Sequence, residues 1–132
     1  MEFRKLIEAG RRLDASDIHL LADMPPCFRV HGEIKPAQAP PLTSAEIREM
    51  VLSITNRAQQ QKLEDDWELC ISRMVEEFGR VRITVYMRAG GPEMAVRLCA
   101  QDIGSRESLR LPPVVDEIAR RSSGLVLICG PT

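Results

Sequence analysis

Four arginines, Arg80, Arg82, Arg88 and Arg97, sit close together in the second half of the chain. Alternate residues of an extended segment project to the same side. The run Arg80-Val-Arg-Ile-Thr-Val-Tyr-Met-Arg88 therefore sets Arg80, Arg82, Thr84 and Tyr86 on one face, and Val81, Ile83, Val85 and Met87 on the other. Arg88 continues the polar side into the next turn, and Arg97 approaches from the following segment. A guanidinium never loses its charge and grips oxyanions two bonds at a time, so such a face suits a phosphate. The same spacing also describes a solvated sheet face with Glu76, Glu77 and Glu93 as acidic neighbours, and spacing alone leaves both readings open.

A second chemical signal lies in Gly124–Thr132, GLVLICGPT. Five apolar residues, Leu125–Cys129, followed by Gly-Pro-Thr read as a buried parallel-type strand entering a glycine turn. A phosphate-binding loop, G-x-x-x-x-G-K-[ST], begins in this way. Its backbone N–H groups and the next helix's N-terminus surround a phosphate, while the lysine reaches the outer oxygens. Gly130, Pro131 and Thr132 match its first residues, and the second glycine, the lysine and the magnesium-holding hydroxyl are not in the chain. Half a motif is also how many ordinary strands end.

The remaining reactive residues read more plainly. His19, between Ile18 and Leu20, and His31, at a turn, are expected to be hydrogen-bonded structural residues. Asp14 and Asp17 read as turn and capping residues, and Ser16 has no base partner. Cys27, Cys70, Cys99 and Cys129 lack C-x-x-C spacing, so no metal site is expected; each lies in an apolar run, which predicts small, buried, reduced thiols. A net charge of −1 argues against a dedicated nucleic-acid binder, and 4% aromatic content against a base-stacking platform. The charged N-terminal segment MEFRKLIEAGRR does not read as a signal peptide, and no apolar run approaches the roughly 18 residues of a membrane span. A cytoplasmic protein is expected.

The elements that must position these residues follow from periodicity. Phe3, Leu6, Ile7 and Leu13 predict a helix over 3–13, and 17–21 a strand. Residues 27–34 predict a tight hairpin at His31-Gly32. Beyond the polar connector 35–41, Thr43 and Glu46 form a capping-box pattern ahead of a helix with Ile47, Met50, Val51 and Ile54 on one face. A second, polar helix is expected over about 56–65. Segments 67–73, 80–88 and 93–99 predict a three-stranded meander. Pro112-Pro113 opens a further helix over 114–121, ahead of the final strand. The sum is an α+β fold with an antiparallel sheet of about six strands, divided into residues 1–100, a connection over 101–111, and the start of a second domain at 112–132.

Taken in order, Ala15–Leu20 (ASDIHL), Pro25-Pro26 with Phe28–Gly32, Gly79–Arg82, Arg88 through Arg97-Leu98, and Gly124–Thr132 resemble the secretion ATPases of the type IV pilus, most closely the PilT/PilU retraction branch. The resemblance implies a PAS-like N-terminal domain, a linker and a RecA-like core, assembled as a hexamer that uses ATP and Mg2+. It implies an inner-membrane pilus platform protein as partner, and a cytoplasmic machine peripheral to that membrane. Arg82 and Arg97, with Arg88, would contact the nucleotide phosphates, and Gly130, Pro131 and Thr132 would begin the P-loop. The family's catalytic acids would lie beyond Thr132, so the chain is expected to have no ATPase activity of its own. Cys70, Thr84 and Ala100 stand where the family often has aspartate, asparagine and proline, which leaves accessory, extension and type II secretion branches open. The alternative is a stand-alone PAS-like ligand-sensing or adaptor domain.

Overall fold

The computed structural model describes residues 2–130, so Pro131 and Thr132 of the expected loop lie outside the described residues. The chain forms two compact units, Met1–Gln101 and Asp102–Thr132. The first begins with α1 (Phe3–Arg12), β1 (Ala15–Leu20), β2 (Cys27–Val30) and β3 (Glu33–Pro36). It continues with α2 (Ser44–Ile54), α3 (Arg57–Asp66), β4 (Glu68–Val75), β5 (Gly79–Arg88) and β6 (Gly91–Leu98). The six strands form one sheet in the order β3-β2-β1-β6-β5-β4, and every neighbouring pair is antiparallel. The expected α+β class with a six-stranded antiparallel sheet is what the chain adopts.

Local chemistry explains most element ends. Thr43 and Glu46 close the expected capping box on α2, and Asn56 and Gln59 make a second one on α3, so orphan N–H groups at both helix starts are satisfied. His31 and Gly32 both take positive φ, 50° and 85°, as a two-residue turn between right-twisted strands requires. α3 stops where Trp67 enters the left-handed region at φ 62° and returns its N–H to Leu63.

All three helices of this unit cover one side of the sheet. Ile18 and Leu20 of β1, Phe28 and Val30 of β2, Val81, Ile83 and Val85 of β5, and Met94, Val96 and Leu98 of β6 bury against Leu6 and Ile7 of α1 and the apolar face of α2. Each such side chain contributes roughly 1.5–3 kcal/mol by leaving water. Gly10 lets α1 approach closely, since a Cβ there would stand 2.7 Å from Leu98 Cδ1. Next to it, Arg11 donates from Nε to the Phe78 carbonyl (3.0 Å) and from Nη2 to those of Cys99 (2.7 Å) and Arg80 (3.4 Å). One helical side chain thereby ties the β4–β5 hairpin to the residue that follows β6.

The second unit contains α4 (Val114–Ala119), opened by Pro113. Before it, Arg106 bonds the Leu111 carbonyl (3.2 Å) and pairs with Asp116 (3.0 Å). The strand expected over Leu125–Cys129 does not form: the segment has no ladder partner among the described residues, and Leu125, Leu127 and Ile128 stand 83%, 75% and 91% exposed. A strand exists only through its neighbours, and apolar composition without a sheet to join does not create one. The helix before it is also shorter than the expected 114–121.

Candidate phosphate-binding face

The pleat that buries Val81, Ile83 and Val85 sends Arg80, Arg82, Thr84 and Tyr86 to the opposite side, where no helix of the unit packs. The partition is the one expected. Register then decides which arginines meet. Arg82 on β5 stands directly opposite Arg97 on β6, and Arg97 is in turn opposite Asp17 on β1. On the far side, Arg82 is opposite Ser72 of β4, and Thr84 is opposite Cys70. Asp17, Arg82, Thr84, Ala95 and Arg97 line a shallow depression of about 270 Å³ whose floor is kept low by Ala95.

Each arginine of the central pair is held by its Nε from the outer side. Arg97 Nε donates to Asp17 Oδ1 at 3.0 Å, and Arg82 Nε donates to Cys70 Sγ at 3.2 Å. Asp17 is further engaged by Ser16 Oγ at 2.8 Å and by Arg29 Nε at 3.6 Å. Partial burial pushes the Asp17 carboxyl up, but the hydrogen bonds from Ser16 and Arg97 and the charges of Arg97 and His19 outweigh it, and the net shift is downward. The Cys70 thiol is likewise held below its ordinary range. The Arg82 hydrogen bond is the main cause, assisted by Thr84 and opposed by desolvation.

The other expected site residues fall elsewhere. Arg88 lies six positions along β5 from Arg82, roughly 20 Å at strand rise, and faces Glu93 at 3.5 Å. That carboxylate is buried beside Tyr86, whose hydroxyl is pushed up by desolvation and by the Glu93 charge. Arg88 is therefore not brought together with Arg82 and Arg97. Gly130 belongs to the second unit and has nothing within reach of a Cβ.

Three sequence expectations need correction. Asp17 is not a turn residue, because β1 starts two residues earlier, at Ala15, and carries it into the sheet. Cys70 and Cys129 are exposed rather than buried: Cys70 falls on the open face by strand parity, and Cys129 lies in the unpaired segment. His19 is not hydrogen-bonded through Nε2, which is buried without a partner among the described residues. Asp17 and Cys70 are the site residues that sequence reasoning missed. The alternation of Ala15–Leu20 held the signal for Asp17, which shares a parity with His19 and not with the core residue Ile18.

The fold is one found in solved ATPase structures. The structure of the ATPase DotB from Legionella pneumophila matches 91% of this chain and 34% of its own, with a TM-score of 0.62 at 18% identity. The particular likeness is to the pilus motors. The solved structure of the pilus retraction motor PilT with bound ADP matches 92% of this chain and 36% of its own, with a TM-score of 0.81 and 32% identity. In sequence, all 132 residues align with the type IV pilus ATPase PilU of Pseudomonas aeruginosa at 29% identity, covering 35% of PilU. PilT of the same organism aligns over the same length at 28%, covering 38%. No family model matches. The chain is thus similar over its whole length to type IV pilus ATPases, and it spans about a third of the length of the curated relatives it matches.

Proposed function

We propose that the chain is the nucleotide-responsive N-terminal domain of a hexameric type IV pilus retraction ATPase, in which Arg82 and Arg97 bind the phosphates of ATP·Mg2+. The observation that carries this reading is the like-charged pair itself. Two guanidinium groups directly opposite on adjacent strands repel, and an anion shared between them offsets that cost. The depression between them is small, and four of its five lining side chains, Asp17, Arg82, Thr84 and Arg97, carry polar groups that can meet or orient an oxyanion. In this reading residues 1–100 form the PAS-like domain, 101–111 the linker, and 112–132 the first elements of the RecA-like core, with Gly130, Pro131 and Thr132 opening its P-loop. Charge developing on the γ-phosphate during transfer would draw the arginines in, so hydrolysis is coupled to movement of the domain against the core. The work is delivered to an inner-membrane pilus platform protein by a cytoplasmic ring peripheral to that membrane, in support of twitching motility. Among the described residues no helix is long and apolar enough to cross a membrane.

The test is ATP hydrolysis at saturating magnesium by the protein encoded by the parent gene. Arg82→Ala and Arg97→Ala are each expected to lower turnover by more than about tenfold without unfolding the domain. Activity untouched by either substitution would return both arginines to a solvated face. A folded but inactive parent would point to an accessory or sensor protein instead.

A further inference from the structure

We propose that Asp17 is a positioning residue, which orients Arg97 so that the outer edge of its guanidinium is presented to an oxyanion. This inference rests on the phosphate reading of the face. Asp17 reaches Arg97 only through Nε, leaving both terminal nitrogens, the pair that grips phosphate bidentately, uncommitted among the described residues. The carboxylate itself is fixed independently of Arg97. Ser16 Oγ and Arg29 Nε both engage Oδ2, while Arg97 takes Oδ1. Its side chain is 15% exposed where that of Arg97 is 67% exposed, so the acid is the anchor and the arginine the part that can move.

Electrostatics gives the arrangement its reason. Arg82 stands on one side of Arg97 and would repel it, and Asp17 on the other side holds it in place. Arg29 keeps Asp17 compensated when Arg97 turns toward a ligand. The local sum of Asp17, Arg29, Arg82 and Arg97 stays positive, so the carboxylate orders the site without cancelling its attraction for an anion.

The two effects of Asp17 predict opposite signs, which makes the idea testable. By charge alone, Asp17→Asn should tighten anion binding; if positioning governs, it should weaken it. The 132-residue chain is titrated with sodium tripolyphosphate at low salt, up to about 10 mM, while the arginine Nε–H resonances are followed by NMR. The wild-type Arg82 and Arg97 signals are expected to shift saturably. In Asp17→Asn the Arg97 Nε–H signal should move to the position of a free arginine, and binding should weaken by roughly fivefold or more, the loss of one charge-assisted contact. Arg97→Ala should weaken binding similarly, and the double variant should bind no worse than Arg97→Ala alone. Asp17→Ser serves if Asp17→Asn does not fold. Equal or tighter binding by the Asp17 variants, with the wild type binding normally, overturns the positioning role. A wild-type chain with no saturable shift overturns the phosphate reading and the positioning role with it, and is recognisable because Asp17 variants play no part in that result.

Discussion

Arg82 and Arg97 occupy directly opposed positions on β5 and β6, each tethered outward by its Nε, to Cys70 and to Asp17. Polyanions should therefore stabilise the fold by mass action. Millimolar tripolyphosphate is expected to raise the melting temperature of the wild-type chain, and to do so much less for Arg82→Ala or Arg97→Ala. Arg82→Ala should not itself lower the melting temperature, because it relieves a repulsion at an exposed position, whereas Arg97→Ala should lower it slightly by removing the partner of Asp17. Differential scanning fluorimetry with and without the anion decides this. An equal rise in all three proteins would mean that the anion acts elsewhere.

Asp17 should govern part of the acid sensitivity. Its pKa is lowered on folding, so its contribution is complete above the unfolded value near 3.9 and fades as pH falls through the lower folded value. Stability measured by urea unfolding should accordingly decline below about pH 4. The Asp17→Asn variant should lose stability at neutral pH and show a shallower acid decline. A parallel pH dependence in the two proteins would remove Asp17 from this role.

Cys70 should be the fast thiol of the domain. Its exposed sulfur accepts from Arg82, which lowers the pKa and enlarges the thiolate fraction at any pH below the ordinary midpoint. Alkylation by iodoacetamide, read by peptide mass, should be faster at Cys70 than at buried Cys27, and its pH–rate midpoint should rise in Arg82→Ala. An unchanged midpoint would show that Arg82 does not set the thiol's reactivity.

Gly10 is the tightest helix-to-sheet approach described above. A methyl group there would meet Leu98 Cδ1 at 2.7 Å and Ile18 Cδ1 at 3.0 Å, so helix propensity, which favours alanine, is opposed by overpacking. Gly10→Ala is expected to destabilise the chain by about 1–3 kcal/mol in chemical denaturation. A neutral or stabilising change would mean that Leu98 and Ile18 re-pack freely.

Most of the first unit was legible because its signals are local. Strand alternation in 80–88 separated Arg82 from Val81 and Ile83, the Thr43–Glu46 spacing marked a helix start, and His31-Gly32 marked a hairpin. Cross-strand partners were less legible. That Arg97 meets Arg82, while Arg88 meets Glu93, is fixed by the register of the β5–β6 hairpin, and that Arg97 meets Asp17 by pairing between segments far apart in the chain; one strand's pattern carries no such information. Leu125–Cys129 misled for a related reason: an apolar run records what a segment would bury, and only a neighbouring strand turns that tendency into a ladder.

The Arg11 tie to Phe78, Arg80 and Cys99 also has a mechanical meaning. A pull on the chain beyond Cys99 meets the guanidinium fork before it can peel β6 from its neighbours, and Gln101, bonded to the Glu77 carbonyl at 3.2 Å, shares that tension. Through Arg11 that load is shared by α1 and the β4–β5 hairpin. The exit of the first unit is thereby pinned both to its first helix and to the β4–β5 turn.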